Sequence, residues 1–374
     1  MQQRFGLGAL DFEVVGDGPL AHAVREEIHP QFLRCGNGLP DASFKFGDFG
    51  CPQGDQIRLK NCSIGSNWAW VDDAYIPHLV KIDKGRLEVQ VSSNARLLGS
   101  RVVRNILKPF DNNFDDVWRR ISKRFYYRIF IPYIQLYQLS RGQTFCHASA
   151  CTDGERTVLL MAWSGIGKTT SLLQLLHSSS KWKFISDDVA LLTRDGQVHR
   201  TPFRMQLYPF NLVSAKQQSD LFRGRSMGDR LHWVLRQRFL GKGAVLRRVQ
   251  PDEIWGADRS AMSAPLTHVL YLRRRDGISD FAHQVVSAEE IALAMAHIMQ
   301  HELGPLTLLL EQSASAQFHE NRFGFELNAE GAMHGVRDIV TSGLGNVQAP
   351  PMVLDVPTGA SASELLSAVL ARAG

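Results

Sequence analysis

The sequence predicts an α/β fold for the C-terminal part of the chain, with a smaller β-rich N-terminal domain before it. Three observations carry that reading. In Leu159-Leu160-Met161-Ala162-Trp163-Ser164-Gly165-Ile166-Gly167-Lys168-Thr169-Thr170 an apolar strand enters a glycine-bearing turn and leaves through Lys-Thr into helical periodicity. From Gln143 to the C-terminal end, strand-like and helix-like patterns alternate. Over residues 1 to about 105, short apolar runs are separated by Gly and Asp clusters, the signature of short strands and turns.

The elements follow in order. Residues 1–110 form the β-rich domain. Its turns are expected at Gly16-Asp17-Gly18, Gly36-Asn37-Gly38 and Gly47-Asp48-Phe49-Gly50, with a hairpin of 75–82 and 86–91 around Asp83-Lys84-Gly85. No chemical motif stands in this part, which suits a partner-recognition module or a scaffold. Residues 111–142 read as a helical connector. Phe114, Val117, Trp118, Ile121, Phe125, Ile129 and Phe130 recur at spacings of three and four. Arg119, Arg120, Lys123, Arg124 and Arg128 give it a basic, solvated side, and Pro132 is expected to end or kink it.

Residues 143–374 read as the α/β domain. Strands are expected at 145–151 and 156–161, joined by the turn Thr152-Asp153-Gly154-Glu155. A helix follows Thr169 and ends near residue 178, and a strand over 182–186 then delivers Asp187-Asp188 at its end. Strands at 189–193 and 197–201 flank Asp195-Gly196, and a further strand is expected at 266–272. A helix at 288–299, a strand at 353–356 and a helix at 362–371 close the pattern. Between residues 216 and 248 the chain is strongly basic, with only Asp220 and Asp229 as offset. That stretch could supply an arginine to a phosphate (Arg223, Arg225 or Arg230), bind an acidic acceptor, or be a solvated surface.

Composition narrows the class. At 374 residues, 44% hydrophobic and 21% charged, the chain suits two globular domains with a sizeable core. A net charge of +5 is mild for this length and does not argue for nucleic acid. No run reaches transmembrane length, and the N-terminus lacks the apolar segment of a signal peptide. Cys35, Cys51, Cys62, Cys146 and Cys151 are an odd set without a C-x-x-C pair, so reduced thiols and a cytoplasmic location are expected.

The chemistry centres on the glycine turn. Backbone N–H groups of such a loop, with the positive end of the following helix, form a site for phosphate oxygens. In this P-loop pattern Ser164, Gly165, Ile166, Gly167, Lys168, Thr169 and Thr170 would cradle ATP, with Lys168 on the β- and γ-phosphates and Thr169 on Mg²⁺. Ala162 stands where the pattern has its first glycine. Asp187-Asp188 comes one helix and one strand later. Carboxylates there can hold Mg²⁺ or take a proton from an attacking hydroxyl, or simply begin a loop. Mutual repulsion would raise the pKa of one of them. His147, before the turn into the loop strand, could hydrogen-bond or position a carboxylate, or be structural.

Taken together, Ser164 to Thr169, the Asp187-Asp188 pair and His147 resemble the catalytic domain of the HPr kinase/phosphorylase family, whose fold is similar to that of phosphoenolpyruvate carboxykinase. The resemblance covers residues 143–205 well and the rest of the C-terminal half loosely. It implies that Asp188 is the base on the acceptor hydroxyl, with Asp187 supporting it, Lys168 and Thr169 on phosphate and Mg²⁺, and His147 near the base. Thr170 replaces an acidic residue common in that family. The Leu-Glu-Ile-Arg-Gly-type signature is missing, its region reading Thr201-Pro202-Phe203-Arg204-Met205-Gln206-Leu207. The chain therefore looks like a divergent HprK-related kinase, of the B type among others. The expectation is an ATP- and Mg²⁺-dependent kinase acting on a hydroxyl, such as serine of a protein or peptide, with a homo-oligomer compatible and no membrane or nucleic-acid partner. The alternatives are a nucleotide-binding regulator without transfer activity and a small-molecule hydroxyl kinase.

Overall fold

The computed structural model describes residues 1–35, 38–83, 85–92, 108–212, 215–319 and 329–373. It is a mixed α/β structure with several sheets, and the chain divides into two compact units. The first comprises Met1–Asp111, Asp115–Arg141 and Gln300–His334; the second comprises Asn112–Phe114, Gly142–Met299 and Gly335–Gly374. Most of the segment read from sequence as a connector thus falls inside the first unit, and so do residues 300–334.

The first unit is built on an eight-stranded sheet. Hairpins make most of it, including His78–Asp83 paired antiparallel with Arg86–Ser92, the hairpin expected from the sequence. Parallel pairing joins Leu10–Val15 to Ala42–Gly47 and the latter to Arg86–Ser92. The turn expected at Gly36-Asn37-Gly38 falls largely outside the described residues. Phenylalanines cover the sheet: Phe12 and Phe44 meet Phe130 and Phe125 with ring centroids 4.9 and 5.3 Å apart. Those last two rings belong to the segment expected to be a connector, so its apolar stripe is consumed by this core.

That segment also differs in detail. Phe114 lies outside any helix, at φ +60°. Asp116 caps the Val117–Phe125 helix by accepting from the N–H groups of Trp118 and Arg119. Pro132 does not end the helical run. A five-residue π-helical stretch, Tyr126–Phe130, precedes it, and Pro132 sits in the first turn of the Ile131–Leu139 helix. Widening the turn absorbs the missing N–H and the ring's clash with the preceding turn.

In the second unit the main sheet runs in the order Lys183–Ser186, Ala148–Thr152, Thr157–Met161, His268–Arg275, Met352–Pro357, Ala282–Val285. The three inner strands after Ala148–Thr152 are parallel neighbours, and both ends of the sheet are antiparallel. Here the expectation of one strand over 145–151 is corrected. The chain makes two strands, Gln143–Cys146 and Ala148–Thr152, which belong to different sheets. Cys146 pairs with Ala190 in a four-stranded antiparallel sheet, while Ala148 pairs with Met161 in the main one. His147 is the residue at which the chain changes sheets.

Behind the main sheet lies the Lys168–Ser178 helix. Leu172, Leu173, Leu175 and Leu176 bury its inner side among Cys151, Val158, Leu160 and Phe184, each such burial contributing about 1.5–3 kcal/mol. This packing fixes the start of the helix at one end of the sheet.

Candidate functional site

Strand direction explains why the sequence-predicted groups meet. Ala148–Thr152 runs antiparallel to both Thr157–Met161 and Lys183–Ser186, with Ala148 opposite Met161 and Ala150 opposite Ser186. The end of the loop strand, the end of the Asp187-Asp188 strand and the start of the His147 strand therefore share one edge of the sheet. Residues distant in sequence arrive together because of that register.

The loop from Ala162 to Gly167 needs glycine at two places. Gly165 has φ +82° with open space around its Cβ position. Gly167 has φ +120°, and a Cβ there would stand 2.8 Å from Leu365 Cδ2. Ala162, by contrast, is buried and has no positive φ; among described non-glycine residues only Phe114 and Asp188 do. The departure from the glycine pattern is thus free of backbone strain. Gly167 caps the helix without a side-chain hydrogen bond, and no acidic residue occupies the first turn. Lys168 is buried, and its Nζ donates to the carbonyls of Ala162 at 2.8 Å and Trp163 at 3.3 Å.

Asp187 is buried, and its Oδ1 accepts from Thr169 Oγ1 at 2.9 Å and Ser149 Oγ at 2.7 Å. Burial, then the neighbouring charge of Asp188, pushes its pKa up to about 6, against the pull of both hydroxyls and Lys168. Asp188 is different. It occupies the middle of a three-residue turn in which Val189 N–H donates to the Asp187 carbonyl at 2.8 Å, with φ +69°. A non-glycine residue held this way is strained, and such strain clusters at functional sites. The turn is braced from below, where Thr201 Oγ1 donates to Val189 O at 2.7 Å and accepts from Ser186 Oγ at 2.9 Å. The Asp188 side chain is about one-third exposed, at 34%.

His147 links loop and turn. Its Nδ1 lies 3.7 Å from Asp188 Oδ1 and its Nε2 lies 3.5 Å from Ser164 Oγ. Burial, reinforced by the Lys168 charge, lowers its pKa to about 4, so the ring is neutral at neutral pH. Thr170 points elsewhere: its Oγ1 accepts from Asn211 Nδ2 at 2.9 Å, which ties down the turn Pro209–Asn211.

The structure therefore brings together Ser164, Lys168, Thr169, Asp187, Asp188 and His147, with Gly165 and Gly167 shaping the loop and Ile166 packed against the core. Ser149 was not foreseen. It is one small polar residue inside an apolar strand, and only its register beside Asp187 reveals it. The arginines offered by the basic stretch are engaged in other contacts. Arg223 pairs with Asp220, Arg225 with Asp229, and Arg230 donates to the Phe222 carbonyl.

Among the described residues no group of three or more His, Cys, Asp or Glu side chains could hold a metal, and no helix is long and apolar enough to cross a membrane. No protein-family profile matches the chain. No curated protein matches it either. Among solved structures it aligns with an HPr(Ser) kinase/phosphatase from Coxiella burnetii at 13% identity, over 47% of this chain and 99% of that one, with a TM-score of 0.23.

Proposed function

We propose that the chain is an ATP- and Mg²⁺-dependent kinase that transfers the γ-phosphoryl group to a hydroxyl, serine of a protein or peptide being the acceptor. One observation carries the reading. The start of the Lys168–Ser178 helix, which no side chain caps, and two carboxylates in contrasting environments meet at one sheet edge. Pairs of titratable groups set apart by their surroundings mark divided chemical roles.

The roles follow from the contacts. Loop N–H groups and Lys168 bind the phosphates. The Thr169 hydroxyl and Asp187 are the ligands for Mg²⁺, which needs only one or two carboxylates beside the phosphates. The donor set fits. It is oxygen-only, and a buried carboxylate with its ionisation opposed by burial and by Asp188 is relieved by a cation. When bound, Mg²⁺ would neutralise charge on the phosphate oxygens. Asp188, strained and partly exposed, takes the proton of the acceptor hydroxyl. Neutral His147 orients that carboxylate without neutralising it.

The test measures labelled phosphate passed from γ-labelled ATP to serine peptides or to water, alongside ATP affinity by titration calorimetry. Asp188→Asn should lower transfer by about 10²- to 10⁴-fold while ATP affinity is retained. Lys168→Ala should weaken both. ATP binding without transfer by the unaltered chain would replace this reading with a nucleotide-binding regulator, and transfer to small alcohols alone with a small-molecule kinase.

A further inference from the structure

The Met227–Leu240 helix is apolar on the side it does not bury. Asp229, His232 and Trp233 face inward. Met227, Leu231, Val234, Leu235 and Phe239 are exposed, at 77%, 58%, 56%, 44% and 76%. Spacings of three and four place the first four on one stripe, with Phe239 at its margin. Soluble proteins seldom leave so contiguous an apolar face uncovered without a use for it.

Charge defines the kind of partner. Arg230 and Arg238 lie along the stripe and Lys242 follows it, all exposed. The helix's one acidic residue, Asp229, is turned inward and neutralised by Arg225 and Arg247. The outward face is therefore cationic and apolar with no acid of its own. A second copy would set these cations against their own kind across an isologous contact.

Position adds the next constraint. The turn Lys242–Ala244 after the helix lies against the turn Pro209–Asn211. Asn211 is hydrogen-bonded to Thr170, two residues beyond Lys168. At that turn exposed Phe210 stacks on Tyr208, with centroids 5.0 Å apart. The exposed face thus continues to the edge of the candidate site. Tyr208 of that turn lies close enough to Asp188 to feel its charge, so the turn joins the helix to the neighbourhood of the candidate site.

We propose that the exposed face of the Met227–Leu240 helix docks an acidic protein partner with an apolar face, and that this partner carries the hydroxyl acceptor. The second half rests on the kinase reading; the docking itself does not. Remote contacts of this kind supply the binding energy that positions a reacting group.

The experiment uses the full chain and a fluorescent amphipathic helix of leucine and glutamate, with its scrambled isomer as control. Vesicles of phosphatidylcholine, with and without phosphatidylglycerol, are a separate arm, and sedimentation reports self-association. Two exposed-surface double variants are compared: Leu231→Ser with Phe239→Ser, and Arg238→Glu with Lys242→Glu. The expected result is binding of the amphipathic peptide over its isomer, weakened at least about tenfold by each variant, with Tm and MgATP affinity unchanged. Absent binding, equal binding of the isomer, indifference to both variants, preference for anionic vesicles, or self-association abolished by the variants would each overturn the proposal. Loss of MgATP binding in the unaltered chain would sink the kinase reading and leave the docking result standing.

Discussion

At the scale of single residues, the loop shows how far a pattern can depart from its letters without structural cost. Ala162 takes the place of a glycine because no positive φ is needed there, whereas Gly167 combines φ +120° with a close neighbour, Leu365. The neighbour is the tip of a flexible side chain and can move; the backbone angle cannot. Gly167→Ala should therefore destabilise the chain by about 1–3 kcal/mol, read as a shift in urea midpoint. Adding Leu365→Ala should not restore it. Restoration would show that crowding rather than backbone strain was the cost. The strand–turn–helix shape was legible from Gly165 and Gly167, because glycines between an apolar strand run and a helical period mark a turn, and both adopt positive φ. Ser149 was not legible, since nothing in Ala148-Ser149-Ala150 distinguishes a hydroxyl aimed at Asp187 from an ordinary core serine.

At the scale of elements, the basic stretch separates into two populations that composition alone could not tell apart. One faces outward on the Met227–Leu240 helix. The other is internal. Arg247 is fully buried; its Nε donates to Asp229 Oδ1 at 2.6 Å and its Nη1 to Leu246 O at 2.6 Å. Its guanidinium lies 5.2 Å from the centroid of the Trp233 ring. Asp229 also accepts from Arg225, at 3.1 Å. Removing the carboxylate strands a buried charge, so Asp229→Ala should cost about 3–5 kcal/mol. Arg247→Met, which leaves Asp229 with Arg225, should cost less. Chemical denaturation of the two variants decides it, and an equal or smaller loss for Asp229→Ala would contradict this account. The same limit hid the sheet change at His147. Apart from His147 itself, Phe145 to Cys151 is apolar or small, and strands buried on both faces carry no period to mark a break.

At the scale of the whole molecule, the β-rich character of the N-terminal part was legible, but the discontinuity of the first unit was not. The Gly304–His319 helix directly follows the Ala288–Glu302 helix in sequence, yet contacts such as Cys62 Sγ to Gln312 Oε1, at 3.1 Å, assign it to the first unit. Contacts across 250 positions leave no local trace in the sequence. The interior of this unit also fixes its response to acid. His78 is buried; its Nδ1 lies 2.9 Å from the Ile76 carbonyl and its Nε2 lies 2.8 Å from Tyr133 Oη. A carbonyl only accepts, so Nδ1 carries the proton and Nε2 accepts from Tyr133, an arrangement complete only for the neutral ring. Burial accordingly lowers the pKa from 6.5 to about 4. Above pH 6.5 neither state binds this proton and the stability is fully present. As the pH falls from 6.5 toward 4 the unfolded chain takes up a proton that the native state refuses, and stability is lost, by about 3 kcal/mol across the window. His78→Gln cannot titrate, so its urea midpoint should fall less between pH 7 and pH 4.5 than that of the unaltered chain. A histidine ring signal from His78 that titrates near 6.5 in the folded protein, or an identical acid loss in the variant, would remove His78 as the cause.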